Sequence, residues 1–543
     1  MSHESKTVVV GFDALDFRHL DAFADSLPNF RALRSAGVEA PLRSTFPPWT
    51  GSAWPSMYTG TDPGHHGAFG FYHHTTDYPD EDELVARTHV DAPAIWNYLT
   101  DLGEPAVVLN VPVTHPAEPI EGVLVPGYLA HEDDAGHPAG IREELSAALD
   151  EEYRIYSRAE TADDPDAKRA GYLDLVELRG RAAAYLLEAY DWRVAVVQVQ
   201  KTDTVFHNFD DPETFRQVYA RADEALGRVL DAAGDANVVV CSDHGMGRVN
   251  GYTIYLNEVL RNAGFAETTT DAERPSLMDQ KPELTGDAAT DGDAGSSVAG
   301  RAVAAATAAL GRAGVSPGDA YAVAERLGVG DLLVGALPDE AVSAAGEGVD
   351  WANSTAYTRS VELGVRVNLR GREPSGIVPP DEYEAVRDEL IDTLSSLRTP
   401  DGEPAFEWVH RREVVYDGPH AEHACDVLFI PKDMNHVLST SLVGRTFAPT
   451  DDYDHKRDGV FLAAGPAFEG AATPAELSLT DVAPTAMAAA GLDVPERMTG
   501  RVPADLLARP VSRTEYGEVP FGRDAGSSDD GAVEDRLRDL GYI

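Results

Sequence analysis

Side chains that can bind metal ions stand directly after three apolar, β-branched segments of the sequence. They are Asp13 after residues 7–12, Asp203 and His207 after residues 194–199, and Asp243 with His244 after residues 237–242. Asp203 and His207 are four positions apart, so one helical turn would place both on the same face, as a shared metal ion requires. Ligands of open α/β sheets bind at the carboxyl ends of the strands. We therefore expect these side chains to meet at one edge of a sheet.

Structural roles are the alternative at several of these positions. Asp13 could cap the helix expected after it, because Asp is a good N-cap residue. The DHG turn at residues 243–245 could be solvated, although a buried strand that leads into two metal-binding side chains favours a site. Asp16 is expected to be an exposed acid in a first helical turn. His455, in a predicted loop before the strand at residues 459–464, is either an ordinary loop histidine or the missing nitrogen ligand of one metal ion.

A hydroxyl suited to phosphate chemistry is predicted at Thr50, within the segment STFPPWTGSAWPSMYTGTDPGHHGAFGF at residues 44–71. A Pro-punctuated loop ends at this threonine, and a short helical run closed by a Thr-Gly pair follows it. Free N–H groups and the positive end of the dipole make a helix N-terminus a cradle for phosphate. Taken alone, Thr50 would more often be a simple N-cap. His65 and His66 could be ligands, but we interpret them as structural because nothing at helical spacing pairs with them.

The charge of the chain argues against anionic polymers and membranes as partners and favours bound metal ions. Its 543 residues include 92 Asp and Glu against 44 Lys and Arg, which gives a formal charge of −48. Such a field repels nucleic acid and anionic membranes at low salt, so we expect neither as a partner. It also repels small phosphate esters. A phosphate site must therefore supply concentrated positive charge, for which bound cations are the simplest source.

The balance of Lys to Arg and the two cysteines bear on the cell type and the compartment. Only six of the basic residues are Lys, and this composition is typical of proteins from salt-accumulating haloarchaea; an ordinary acidic protein is the alternative. Cys241 and Cys425 lie far apart in apolar segments and are predicted to be reduced core thiols. The N-terminus enters a strand without a signal-peptide pattern, and no run approaches about 18 apolar residues. A soluble, cytoplasmic protein is expected.

Alternating strands and helices predict an α/β core that is interrupted by an insertion. The alternation covers residues 1–267 and resumes over residues 349–512. Residues 268–348 begin as an Asp-, Gly- and Ser-rich linker and end as an Ala/Gly-rich stretch, predicted to be a small helical module. Residues 131–165 are polar and expected at the periphery. The segment 513–543 is predicted to be an acidic, loosely structured tail.

Seven segments, taken together, resemble the alkaline phosphatase superfamily and, within it, the type I phosphodiesterases and nucleotide pyrophosphatases. The segments are VVVGFDALD, TGSAWPSMYTGTDPGHHG, QKTDTVFHNF, CSDHGMG, REPSGIVPPDEY, DHKRDGVFLAAGP and DLGYI. The likeness covers most of the chain outside residues 268–348. It implies a three-layer α/β/α sandwich with a mostly parallel central sheet. It also implies two divalent metal ions, usually zinc with manganese as the other candidate, beside a Ser or Thr nucleophile.

The resemblance implies which residues hold the two metal ions. By the family pattern, one ion is bound by Asp203, His207 and His455, and the other by Asp13, Asp243, His244 and Thr50. A hydroxyl bound to a divalent metal ion has a lowered pKa and becomes a usable nucleophile, while the second ion stabilises the leaving oxygen. Thr50 is therefore predicted to be both nucleophile and ligand.

Several hydroxyls near Thr50 compete for the role of nucleophile. The other candidates are Ser44, Thr45 and Ser52. Thr50 is preferred because it stands ten residues before Gly60, the interval that the resemblance implies between the nucleophile and its Thr-Gly pair.

One departure from the family pattern bears on the substrate. Family nucleotide pyrophosphatases resemble one another in an Asn three residues after the nucleophile, which holds a phosphoryl oxygen, whereas this chain has Ala53. The departure argues against a nucleotide substrate. Lys201 could replace that donor and bind substrate, although an ion pair with Asp203 is the more ordinary expectation.

The sequence thus predicts a two-metal phosphohydrolase that works through a phosphothreonine at Thr50. Its expected substrates are phosphodiesters or nucleotide pyrophosphate-type bonds. A sulfatase would need a Cys or Ser in a C/S-x-P-x-R context, and neither Cys241 nor Cys425 stands in one. A phosphoryl or phosphoethanolamine transferase differs only in the acceptor and is one alternative. A non-catalytic binding protein that kept the fold is the other.

Overall fold

The computed structural model describes residues 5–74, 82–160, 162, 164–269, 348–359, 362–503 and 505–522. Its centre is an eight-stranded sheet. In spatial order the strands are Leu477–Ser478, Val38–Arg43, Asp458–Ala464, Asn237–Cys241, Thr7–Phe12, Val194–Val199, Ala106–Val111 and Gly122–Pro126. Asp458–Ala464 runs antiparallel to both of its neighbours, and the other paired strands are parallel. The prediction of a mostly parallel central sheet is confirmed.

Helices cover both faces of this sheet because its middle strands are apolar on both sides. Every residue of Thr7–Phe12 and Val194–Val199 is buried, as expected for parallel strands enclosed between layers. The helices of four or more residues are Phe17–Ala22, Pro28–Ala36, Thr50–Thr59, Pro63–His66, Ile95–Leu102, Ile141–Leu149, Pro165–Ala189, Lys201–Asn208, Pro212–Ala233, Leu256–Asn262, Tyr383–Ser396, Arg412–Val415 and Val482–Ala489. Two large hydrophobic clusters, one on each face, complete the three layers.

A second, smaller sheet is built from the later part of the chain. Its strands are, in spatial order, Ala356–Tyr357, Gly364–Val367, Val427–Pro431 and Phe406–Arg411. They are antiparallel, and the helix Tyr383–Ser396 packs on them through the buried Leu390 and Leu394. This small sheet has its own hydrophobic cluster. The remaining paired strands are Tyr72–His74 with Asp82–Leu84, Gly245–Val249 with Asp452–Lys456, Tyr252–Tyr255 with Val437–Ser439 and Phe447–Pro449, Thr268–Thr269 with Gly348–Val349, and Val494–Pro495 with Arg513–Thr514.

Residues 131–165 lie only partly at the periphery: residues 131–140 include no buried residue, whereas the segment after them enters the core. The helix Ile141–Leu149 buries Ile141, Leu145 and Leu149, which recur four residues apart and therefore share one helical face. Glu160 is also buried. The polar composition hid this apolar stripe.

Two predicted segments lie mostly outside the described residues. The helical module predicted within 268–348 falls on residues that the structure does not describe, apart from 268–269 and residue 348. Of the predicted tail, Arg513–Thr514 forms a short parallel strand pair with Val494–Pro495, and residues 523–543 are not described. Within the described parts of the chain, no helix combines the length and hydropathy needed to cross a membrane.

Candidate metal centre

Three adjacent strands of the central sheet deliver most of the predicted metal-binding residues. Thr7–Phe12 lies between Val194–Val199 and Asn237–Cys241, and it pairs in parallel with both. Their carboxyl ends therefore share one edge. Asp13 follows the middle strand directly, and the helix Lys201–Asn208, which carries Asp203 and His207, begins just after its neighbour. Asp243 and His244 follow the third strand.

His455 reaches the same edge from a strand, so the predicted loop was wrong. Asp452–Lys456 pairs antiparallel with Gly245–Val249, and His455 lies opposite Met246. Asp452–Lys456 is polar and short, so nothing in its composition predicted a strand. The pairing comes from residues about 200 positions earlier and exists only in the folded chain.

One cluster of possible ligand atoms is formed by Asp203, His207 and His455. His207 Nε2 lies 3.4 Å from Asp203 Oδ1 and 3.3 Å from His455 Nε2. His455 Nε2 lies 3.5 Å from Asp203 Oδ1. One carboxylate oxygen and two imidazole nitrogens thus face a common point, the donor set that zinc prefers.

A second cluster is formed by Asp13, Asp243 and His244. His244 Nε2 lies 3.5 Å from Asp13 Oδ1 and 3.3 Å from Asp243 Oδ2. These three atoms are buried and have no hydrogen-bond partner among the described residues. Ligand atoms of Asp13, Asp203 and His244 also lie within 4.8 Å of one another, so Asp203 stands between the two clusters.

The electrostatics of the two clusters favour an added positive charge. Burial raises the pKa of Asp13 well above its ordinary value, and the carboxylates of Asp243 and Asp203 raise it further. Burial also raises the pKa of Asp243. In contrast, burial together with the neighbouring His244 and His207 lowers the pKa of His455. Burial lowers the pKa of His207, but the carboxylate of Asp203 outweighs this effect and the pKa is raised. A divalent cation takes the place of the protons on such carboxyl and imidazole groups when it binds.

Residues that the sequence did not single out hold these ligands in place. Asp13 Oδ2 accepts hydrogen bonds from Trp54 Nε1 at 3.2 Å and from Gln198 Nε2 at 3.0 Å. A Cβ atom at Gly11 would lie 2.2 Å from the Trp54 ring, so only glycine lets this ring lie against the strand. Ala14 N donates to Asp243 Oδ1 at 3.1 Å. The contacts join distant segments, and no local sequence signal could have revealed them.

His455 and His244 present Nε2 to the metal centre because the Nδ1 atom of each ring contacts a backbone carbonyl. His455 Nδ1 lies 3.1 Å from the carbonyl oxygen of Pro48, and His244 Nδ1 lies 3.1 Å from that of Gly245. A hydrogen bond from Nδ1 to a carbonyl fixes the tautomer that leaves Nε2 available to a metal ion.

Thr50 lies at the N-terminus of its helix, between contacts to both clusters. The helix Thr50–Thr59 has Trp49 as its N-cap residue, so the alternative in which Thr50 serves as the N-cap is excluded. Just before Thr50, Pro48 contacts His455; one turn later, Trp54 contacts Asp13. Thr50 Oγ1 is buried and has no hydrogen-bond partner among the described residues.

The competing hydroxyls differ in their surroundings. Ser52 Oγ donates to the carbonyl oxygens of Pro47 and Trp49 at 2.8 and 3.0 Å, so this hydroxyl is engaged by its own backbone. Ser44 Oγ is buried without a partner among the described residues, but it lies at the end of the strand Val38–Arg43, before the loop that leads to Thr50.

Lys201 does not pair with Asp203, contrary to the ion pair expected for it. Its ammonium donates to Glu160, and both side chains are buried. The ammonium also lies 5.0 Å from the centre of the Tyr172 ring. Glu160 comes from the segment that was expected at the periphery, so its role could not be foreseen.

Two further expectations concern residues around the site. His66 is buried, contacts Ser56 Oγ at 2.9 Å and accepts from the Ala68 backbone N–H at 3.1 Å; it lies outside both clusters, as a structural role requires. His65 contacts Asp62 at 3.1 Å. Asp16, expected to be exposed, is buried because the helix starts at Phe17 and Asp16 is its N-cap.

The donors fit two divalent cations. Ligand atoms of Asp203, His207 and His455 lie within 4.8 Å of one another, and so do those of Asp13, Asp203 and His244. The buried atoms of Asp13, Asp243 and His244 that have no hydrogen-bond partner among the described residues cost free energy unless a cation satisfies them.

Comparisons with known proteins show the family of the chain and its fold. A family model described as type I phosphodiesterase/nucleotide pyrophosphatase matches residues 7–327. The fold is similar to that of phosphonoacetate hydrolase from Sinorhizobium meliloti 1021 in complex with phosphonoacetate, with a TM-score of 0.56 and 18% identity over 90% of this chain and 96% of that chain. For the complex of the same hydrolase with phosphonoformate, the TM-score is 0.52 and the identity is 17%, over 90% of this chain and 96% of that chain. For murine ectonucleotide pyrophosphatase/phosphodiesterase 5, the TM-score is 0.49 and the identity is 13%, over 93% of this chain and 100% of that chain. None of the curated proteins matches the chain.

An α/β sandwich with a large, mostly parallel sheet and paired carboxylate and imidazole clusters at its strand ends defines a metal-dependent phosphoester hydrolase of the alkaline phosphatase superfamily. The family model extends over more than half of the chain and includes the candidate residues except His455. The chain belongs to the type I phosphodiesterase/nucleotide pyrophosphatase family.

Proposed function

We propose that this protein hydrolyses phosphodiesters at a two-metal centre, with Thr50 as the nucleophile. The observation that carries the proposal is the buried Thr50 hydroxyl, which has no hydrogen-bond partner among the described residues and starts a helix flanked by both clusters. A buried hydroxyl without a partner is unfavourable unless a ligand or a reaction uses it.

In this proposal six side chains bind the cations in two groups of three. Asp203, His207 and His455 would hold one cation; Asp13, Asp243 and His244, with Thr50, would hold the other. When bound, two divalent cations, zinc or manganese, supply the positive charge that lowers the pKa of a nearby hydroxyl and offsets the charge of phosphoryl oxygens.

The chain's own groups then account for the two steps. Thr50 Oγ attacks phosphorus and loses its proton, the bond from phosphorus to the ester oxygen breaks, and the departing alcohol takes up a proton. Water hydrolyses the phosphothreonine and restores the hydroxyl. The helix N-terminus at Thr50 favours the phosphoryl group because its dipole points its positive end there.

The protein's charge explains why the anion needs such a site. At −48 the chain as a whole repels a phosphodiester, so binding depends on charge concentrated at the centre. Lys201 is engaged by Glu160, which makes it a supporting residue of the Asp203 helix in this proposal and not a donor to substrate.

Thr50→Ala tests the proposal. We expect it to lower the turnover of bis-p-nitrophenyl phosphate by about 10³-fold or more, in concentrated KCl with zinc or manganese. Bound metal, measured by elemental analysis, should stay near the parental ratio because six ligands remain. Thr50→Ser keeps a hydroxyl and is the matched control; it should retain turnover that Thr50→Ala lacks.

Two results would contradict the proposal. If Thr50→Ala were as active as the parent, Thr50 would not be the nucleophile. If the metal-loaded parent turned over no phosphoester, the alternative of a binding protein with this fold would stand instead.

A further inference from the structure

A cavity of about 110 Å³ borders the cluster of Asp203, His207 and His455. His207 and His455 form part of its wall, so a phosphodiester held at the metal centre would direct one of its organic groups into it. Trp49 and Phe71, on either side of the helix Thr50–Thr59 in the sequence, lie in the same wall. The cavity is therefore part of the substrate site and not a separate pocket.

Further apolar side chains of the wall come from segments next to the small sheet and from the strand Val437–Ser439. They include Leu363, Met434 and Leu438. Together with the rings of Trp49 and Phe71, they give the cavity an aliphatic and aromatic lining. Such a wall favours an organic group of low polarity.

The polar groups in the wall offer no positive charge to a second phosphate. None of the described residues that line the cavity is Lys or Arg. His436 accepts a hydrogen bond from the Tyr252 backbone N–H through Nδ1 at 3.1 Å, so its ring is held as an acceptor there. The remaining polar lining residues are the acid Asp454 and the proposed ligands His207 and His455.

We infer that this cavity binds a compact, uncharged alkyl group of the phosphodiester and rejects a nucleoside or a second phosphate. At about 110 Å³ the cavity is smaller than the roughly 300–1,000 Å³ of sites for drug-sized ligands, which favours a compact group. Ala53 is fully buried on the helix that begins at Thr50 and carries no donor for an additional oxygen. The inference rests on the proposed function, since it assigns a substrate class to the same centre.

A series of diesters that share p-nitrophenol as the leaving group tests the inference. The second group runs from methyl through ethyl and propyl to butyl, and thymidine 5′-phosphate p-nitrophenyl ester supplies the nucleotide. We expect kcat/KM on the metal-loaded protein to rise about fourfold per methylene up to butyl, and the thymidine ester to fall at least about tenfold below the butyl ester.

Cavity-filling variants locate the effect. Leu438→Phe and, independently, Met434→Phe should flatten the rise with chain length, so that the butyl ester loses most of its advantage over the methyl ester. Leu102→Phe, at a side chain 45% exposed, is the matched control and should keep the parental slope. Two filling variants guard against one that fails to fold.

The outcomes separate this inference from the proposed function. A flat series, a preference for the thymidine ester, or a tenfold preference for p-nitrophenyl phosphorylcholine would each overturn the compact, uncharged group while Thr50-dependent turnover still supports the proposed function. An unchanged slope in both filling variants would place the alkyl group elsewhere. Absence of turnover with every ester would overturn both.

Discussion

Two groups of buried aspartates in this molecule have opposite electrostatic environments. In the small sheet, Asp426 accepts hydrogen bonds from Arg372, Arg412 and Tyr383 at 2.6–2.7 Å. Burial alone would raise its pKa, but these partners lower it to about 2. At the metal centre, Asp243 is as deeply buried, yet its pKa is raised.

The difference between these two environments indicates a structural role for Asp426 and a cation-binding role for Asp243. Asp426 has its countercharge from the chain itself, so its network is complete and structural. Oδ2 of Asp243 has no hydrogen-bond partner among the described residues, and the arginines that would neutralise such a carboxylate are absent from its described contacts. A centre left without its own cations is ready for external ones.

The substitution Asp426→Asn should give the largest loss of stability. It leaves the partly buried Arg372 and Arg412 without their shared carboxylate, and breaking such a network lowers the free energy of unfolding by about 2–4 kcal/mol. Denaturant unfolding of the metal-loaded protein in concentrated KCl measures the loss. A change below about 1 kcal/mol would mean that the network contributes little.

The same substitution at Asp243 should act in the opposite direction on the metal-free protein. Asp243→Asn removes a buried carboxylate without a cation, so we expect the thermal midpoint of the metal-free form to rise by about 2–4 °C. Turnover should fall by about 10²–10³-fold because charge at the reacting centre is lost. Equal destabilisation by both substitutions would remove the contrast between the two groups.

Trp54→Phe should weaken metal binding without changing the ligands. It removes the hydrogen bond from Trp54 Nε1 to Asp13 Oδ2 and keeps most of the ring that packs on Gly11. Loss of a group that orients a ligand lowers metal affinity by about 10–100-fold, which competition with a chelator measures. Trp96→Phe, at another buried tryptophan, is the control; similar loss there would point to general loosening.

The pH dependence of the metal-free protein separates the two groups most finely. A carboxyl group whose pKa is raised by folding stabilises the folded protein at pH values below its ordinary pKa. This stabilisation is lost as the pH rises through the raised pKa. The gain in thermal midpoint from Asp243→Asn should therefore grow as the pH rises above about 4, the ordinary carboxyl pKa. Asp426, with its lowered pKa, loses its contribution only as pH falls from about 4 towards 2. A constant gain would contradict the raised pKa of Asp243.

Much of the fold could be predicted from the sequence because its signals are local. The strands Thr7–Phe12 and Val194–Val199 have the bounds of the apolar segments in the sequence, and the helix Pro212–Ala233 begins at a proline. Continuous apolar runs indicate strands buried on both faces, and a proline at the first helical turn marks where a helix begins. The end of each strand then placed Asp13, Asp203 and Asp243 near one sheet edge.

Other features depended on long-range contacts. The predicted loop at His455 is a strand because Gly245–Val249 pairs with it, and Lys201 lies against Glu160 because the helix Ile141–Leu149 packs its segment onto the core. Neither contact has a signature within a few residues of the site. The halophilic character, the metal identity and the compartment stay predictions from composition and resemblance.

The sequence by itself determined which side chains can bind metal ions and at which strand ends they stand, since hydrophobic periodicity and residue type are local properties. Only the tertiary structure decided their distances, the tautomers of His244 and His455, and the apolar cavity beside them. These depend on segments hundreds of residues apart, which meet only when the two sheets and their helices have packed.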